Sequence, residues 1–168
     1  MSLNTDKLND VVASLVEAAS RAGADASDAV AVLGRSTSVT VRLGKVESTE
    51  ASEGDSLALR VFIGKRVASV SATIDADVDM LAERAVAMAK VSPEDPFQGL
   101  ADESRLVKDV PDLDLFDPTE VSADRLREDA LAAEEAALAV KGVTNSSGAG
   151  ANAGIGGLVL ATSAGFLG

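Results

Sequence analysis

No histidine and no cysteine occur anywhere in the 168 residues. Without cysteine the chain can form no disulfide, no thiolate nucleophile and no zinc–thiolate centre. Without histidine it loses the commonest general base, the usual activator of a serine nucleophile and the commonest metal ligand. Tryptophan and tyrosine are missing too, and four Phe are the only aromatics. A core must therefore be assembled from Val, Leu, Ile and abundant Ala. Cations are outnumbered, 15 Lys and Arg against 27 Asp and Glu, for a formal charge of −12. Such a surface repels phosphate backbones and anionic lipid, which argues against nucleic-acid and membrane-surface partners. The first residues lack the basic, apolar, small-residue order of a signal peptide. Together with the missing cysteines, this leads to the expectation of a cytoplasmic protein.

What is present suits one soluble globular domain over residues 1–168, with 46% apolar and 25% charged residues. The clearest local pattern is two alternating apolar runs around Gly64-Lys65: Leu57, Leu59, Val61 and Ile63 before, Ala68, Val70, Ala72 and Ile74 after. A two-residue loop there places Ile63 opposite Arg66, Val61 opposite Ala68, Leu59 opposite Val70 and Leu57 opposite Ala72. One more loop residue would offset the two apolar faces, so the pattern itself sets the register. Gly44-Lys45 repeats the turn dipeptide, and a two-residue loop at that point would set Arg42 against Glu47. The strand candidates are Ala29–Leu33, Ser38–Leu43 (with Val39, Val41 and Leu43 on one side), Val46–Ser52 and the two arms of the hairpin. They read as an antiparallel meander.

Three helices are expected to cover the sheet. The first is capped by Asn4 or Thr5, carries Leu8, Val11, Val12, Leu15 and Ala19 as its stripe and ends at Gly23. The second is capped by Asp77, buries Val78, Leu81, Ala85 and Met88, and stops at Ser92-Pro93. The third is capped by Ser122 and runs to about Val140, with Val121 and Leu126 as a hydrophobic staple. The fold class expected is α/β of the α+β type, a mostly antiparallel sheet of about five or more strands.

All four prolines fall in a stretch at about 93–120, where Glu94 to Glu120 holds nine acids and two bases. Leu100, Leu106, Val110, Leu113, Leu115 and Phe116 are expected to anchor it as an arm laid across the domain. The last 27 residues carry no charge and eight glycines. They are too polar for a membrane span and read as two short strands, near Val143–Ser146 and Leu158–Ser163, joined by a loose Gly/Ala loop. The ending at Gly-Phe-Leu-Gly suggests a chain truncated at its C-terminus.

Candidate sites come out negative. Gly148, Gly150 and Gly154 have GxGxxxG spacing, but neither a preceding buried strand nor a following helix N-terminus for a phosphate. Asp112, Asp114 and Asp117 fail the EF-hand pattern, with Asp117 at position six and Ala123 at position twelve. No catalytic, cofactor-binding or metal-binding residue is assigned. The polar strand Val46–Ser52 is a candidate edge for an extended peptide.

The segment GDSLALRVFIGKRVASVSATID, followed by DPFQGLAD at 95–102, VTNSSG at 143–148 and ATSAGF at 161–166, resembles the N-terminal domain of the PmbA/TldD family, also called modulator of DNA gyrase. Asp95-Pro96-Phe97 and Gly99-Leu100 resemble the PmbA (TldE) branch more than TldD. The resemblance implies a bacterial or archaeal cytoplasmic protein longer than this chain. It would pair with a TldD-like subunit, or with itself, in a metallopeptidase complex acting on small or unfolded peptides. It also implies zinc held by a His-Glu motif in the TldD-like partner, and no cofactor here. A non-catalytic role in assembly and in walling a peptide chamber is then expected. Two alternatives remain open: a self-contained interaction module, and weak nucleotide or small-molecule binding through the Gly-rich tail.

Overall fold

The computed structural model describes residues 5–107 and 111–168. The order is α1 (Thr5–Ala22), β1 (Ala26–Arg42), β2 (Lys45–Ile63), β3 (Arg66–Ala72), α2 (Val78–Val91), α3 (Ala123–Leu138) and β4 (Ala149–Thr162), with a single 3₁₀ turn at Glu103–Arg105. The strands form one antiparallel sheet in the order β3-β2-β1-β4.

Four strands stand where about five or more were expected, because segments that read separately are continuous. Ala29–Leu33 and Ser38–Leu43 are parts of β1, and Val46–Ser52 is the first part of the 19-residue β2. The Gly/Ala stretch expected to be a loop belongs to β4, and Val143–Ser146 is not a strand. Glycines are poor strand formers in isolation, but here a neighbouring backbone needs the space. A Cβ on Gly148 would sit 2.9 Å from the Val41 carbonyl oxygen, and one on Gly154 would sit 3.3 Å from that of Arg35. The falling partner numbers, 41 then 35, also show β4 running antiparallel to β1.

The β2–β3 hairpin has the expected register in full: Ile63 faces Arg66, Val61 faces Ala68, Leu59 faces Val70 and Leu57 faces Ala72. Gly64 takes φ +57°, the left-handed conformation that a primed turn demands. The β1–β2 turn lies one residue earlier than expected. It consists of Leu43 (φ 49°) and Gly44 (φ 75°), so β2 begins at Lys45. Arg42 therefore meets Lys45 across the turn rather than Glu47, and Leu43 is exposed instead of sharing the buried side of Val39 and Val41.

The chain divides into two compact units. The first comprises residues 1–33, 55–110 and 156–168. Its core takes Leu8, Val12 and Leu15 from α1, Ala29 and Ala31 from β1, Leu57, Leu59 and Val61 from β2, Ala68 and Val70 from β3, and Val159 and Ala161 from β4. Alternation makes these strand residues one face of the sheet. From α2 the core takes Leu81, Ala82, Ala85, Val86 and Ala89. Met88, expected in that stripe, is exposed, because the helix turns its alanine side inward. Ala18 and Ala19 of α1 are buried as well, so alanine makes up much of this core. Asp77 caps α2 by accepting the Met80 N–H (3.0 Å), and Gly23 closes α1 at φ +100°. Thr5 is already the first helical residue of α1. The expected cap at Asn4 and anchor at Val110 lie outside the described residues.

The second unit comprises residues 34–54 and 111–155. Val39, Val41, Leu126 and Ala130 form its core, with Ala149, Ala151 and Ala153 packed against them. Ser122 caps α3 by accepting the Arg125 N–H (3.2 Å). Of the expected arm anchors, Leu100 and Leu106 are half-buried, whereas the three in this unit stand in solvent. Leu113, Leu115 and Phe116 are 60%, 86% and 52% exposed. Asp112 and Asp117 instead accept the N–H groups of Asp114 and Thr119, bending the chain locally.

Truncating Leu59 to Ala should cost about 2–5 kcal/mol in urea unfolding. The same change at Leu115 should stay within about 0.5 kcal/mol, and a comparable loss at both sites would contradict the exposed segment.

Candidate functional site

Three edges of the sheet differ in how they are finished. At the β3 edge Arg66 forms an antiparallel bridge with Glu94, and the Asp95 N–H donates to the Lys65 carbonyl (2.8 Å). Arg66 also donates to the carbonyls of Lys90 (3.2 Å) and Ser92 (3.0 Å). The segment Asp95-Pro96-Phe97 is thus tied to the Gly64-Lys65 turn. Asp95 accepts the Phe97 N–H and the Gln98 side chain, which hold its carboxyl below the usual range, with Lys65 adding a smaller pull. At the end of β4 the chain folds back, and Leu160 and Gly168 exchange both backbone hydrogen bonds (2.7 and 3.0 Å). The third edge is the first part of β2. β3 pairs only with Leu57–Ile63, so from Lys45 to Gly54 the side of β2 away from β1 has no strand neighbour among the described residues. Val46–Ser52, the candidate edge, lies within it, and every residue there is exposed except the half-buried Ser48.

The turn that begins this edge is held by Glu134, the one buried charged side chain among the described residues, at 2% exposure. The Leu43 N–H donates to one of its carboxylate oxygens (2.9 Å) and the Gly44 N–H to the other (2.8 Å). The Gly44 N–H, then the Ser146 hydroxyl, the Leu43 N–H and the nearby Arg42 charge together hold its carboxyl below the ordinary range, against the opposing effect of burial. Sequence reading passed over Glu134, although it follows Leu126 and Ala130 at intervals of four and so falls on the buried stripe of α3. An acid on an apolar stripe was the available signal.

The other candidates come apart. Gly148, just before β4, and Gly150 and Gly154 within it lie against the β1 backbone and gather no phosphate cradle. Asp112 and Asp117 are occupied with local backbone N–H groups. Among the described residues no three His, Cys, Asp or Glu gather as a metal site. The sequence also lacks the nitrogen and sulfur donors that zinc prefers, so this chain's own residues do not fit a zinc centre. In the first unit, a recess of about 590 Å³ between α1 and residues 161–167 is lined by Val16, Phe166 and Leu167, with Arg21. The charge of Arg21 is already taken by Asp79 (2.7 Å). Among the described residues no helix is long and apolar enough to cross a membrane.

Residues 27–89 match the model of the PmbA/TldA metallopeptidase domain 1. The chain is 35% identical over 164 residues to the metalloprotease PmbA homolog of Haemophilus influenzae, and 40% identical over 134 residues to metalloprotease PmbA of Escherichia coli. The chain belongs to the PmbA/TldD family. These alignments cover 96% and 77% of this chain but only 36% and 30% of the relatives, so the chain spans about a third of their length. Among solved structures, a proposed modulator of DNA gyrase from Bacteroides thetaiotaomicron superposes with a TM-score of 0.86 at 22% identity. It covers all of this chain and 39% of that one. TldE from Thermococcus kodakarensis superposes with a TM-score of 0.74 at 18% identity, over 94% of this chain and 36% of that one. At these identities the two structures show a shared fold.

Because the carboxyl of Glu134 is held low in the folded chain, its contribution to stability is complete above the ordinary carboxylate pKa and is lost as pH falls through the lowered value. Replacing Glu134 with Gln should therefore lower the melting temperature at pH 7. The gap from the unmodified chain should close on acidification, and a pH-independent gap would refute this role.

Proposed function

We propose that the chain is a non-catalytic N-terminal domain of a longer PmbA-like subunit, serving assembly of a peptidase complex and the wall of its peptide chamber. The observation that carries this reading is the 35% identity, over nearly the whole chain, to a curated metalloprotease PmbA homolog, in a sequence without one histidine or cysteine. On this reading the domain contributes backbone and surface rather than reacting groups. Its two candidate contributions are a sheet that can abut another subunit and the open edge at Lys45–Gly54, where an extended peptide can add as a further strand. A TldD-like partner would hold the zinc, whose chemistry is to polarise a peptide carbonyl and activate water. The location is cytoplasmic on this reading. The gyrase connection of the structural relative carries no DNA-binding role here, since the −12 charge opposes it.

The test compares this chain, the full-length subunit, and the full-length subunit with a TldD-like partner on an unstructured peptide with zinc supplied. Hydrolysis is expected only with the partner present, and a stable complex should appear in sedimentation. Chelator-sensitive cleavage by this chain alone would overturn the non-catalytic assignment, and failure of the subunits to associate would overturn the assembly role.

A further inference from the structure

We propose that the open edge of β2 from Lys45 to Gly54 takes an extended peptide segment bearing lysine or arginine, added as an antiparallel or parallel strand. This rests on the peptide-docking reading above and adds the chemical class of the peptide. An unpaired strand edge offers a row of N–H and C=O groups to any passing chain, and charged side chains decide which chains come close. Ten residues of β2 are open in this way, enough for a peptide of ordinary strand length.

The side chains along that edge are Glu47, Glu50 and Glu53 against one cation, Lys45. Alternation puts Glu47 and Glu53 on one face of the sheet and Glu50 on the other. A strand laid alongside would therefore meet a carboxylate whichever way its own side chains alternate. None of the three acids forms an ion pair among the described residues. The structural unit they belong to has twelve acidic and six basic residues, so its background field has the same sign. Pairing with the same edge of a second copy would set glutamates against glutamates, which is destabilising across strands. An acidic peptide meets the same repulsion. A cationic strand gains both the backbone ladder and cross-strand ion pairs. Elsewhere on the sheet, the β3 edge is bridged at Arg66 and the β4 edge at residues 160–162, and neither strand carries an acidic side chain, so a preference for a cationic strand belongs to β2.

The experiment measures binding of two short fluorescent peptides, one alternating Thr and Lys, the other Thr and Glu, to the intact chain at moderate salt. The Lys peptide, with its lysines on one face opposite Glu47 and Glu53, should bind roughly tenfold tighter, two attractive pairs in one peptide against two repulsive ones in the other being enough for that ratio. It should slow amide hydrogen exchange within residues 45–54, and it should fail to bind when alternate backbone nitrogens are methylated. The triple variant Glu47→Gln/Glu50→Gln/Glu53→Gln, with an unchanged melting temperature, should lose the preference while still binding. Equal binding of both peptides would overturn the charge preference and leave the docking edge standing. Lys-peptide binding that survives methylation or leaves residues 45–54 unprotected would reduce the effect to diffuse attraction and overturn the proposal. If neither peptide bound, Lys45–Gly54 would be a guarded edge, and both the docking reading and the charge preference would fall.

Discussion

The structure depends on the register of one hairpin. With Ile63 set against Arg66 around Gly64-Lys65, Leu57, Leu59 and Val61 turn to the same face as Ala68 and Val70, and α1 and α2 have an apolar surface to cover. A slip of one residue between the two strands would turn Ala68 and Val70 to the face opposite Leu57, Leu59 and Val61, and the helices would lose a continuous apolar floor. The turn is supported from two directions. Asp25 accepts the Gly64 N–H (2.7 Å), and the Lys65 carbonyl accepts from Asp95. The first contact ties the β1 entry to the hairpin. The second ties in the segment that leaves α2, so chain parts far apart in sequence converge on two residues.

The other turn is held by different means. Leu43-Gly44 has no alternating apolar run beyond it, since β2 from Lys45 to Gly54 is polar and exposed. Its two N–H groups are satisfied by a single carboxylate, that of Glu134 on α3. A buried acid is costly unless its oxygens are met by donors, and two backbone amides with the Ser146 hydroxyl meet that need. One unit is thus organised by apolar area, and the other, with a smaller core of four buried residues, adds a charged clamp.

Legibility in the sequence followed the same division. Burial periodicity made the hairpin register and the α1 stripe legible, and side-chain chemistry marked the caps at Asp77 and Ser122. The β1–β2 turn was displaced by one residue because Gly44-Lys45 copies Gly64-Lys65 in letters, while Leu43 carries a positive φ that few non-glycine residues adopt. β4 was obscured because glycine has no side chain to signal a face, and the reason for its glycines lies on β1, at the Val41 and Arg35 carbonyls. Leu113, Leu115 and Phe116 looked like anchors because large apolar residues usually bury, yet they remain on the surface. The docking edge was visible as a polar strand. That it is left unpaired depends on where β3 stops, and Glu134 depends on a contact spanning ninety residues.

The alanines of the first unit have a consequence for how its core can change. Ala18, Ala19, Ala82, Ala85 and Ala89 on the two helices, with Ala29, Ala31 and Ala161 on the strands, are all buried. Where the buried side chain is already a single methyl, little remains to delete, and any exchange other than to glycine adds atoms to a filled space. Overfilling moves backbone or forces poor rotamers. Sequence drift in this layer is therefore channelled toward paired exchanges, in which one side chain grows only as an opposite one shrinks.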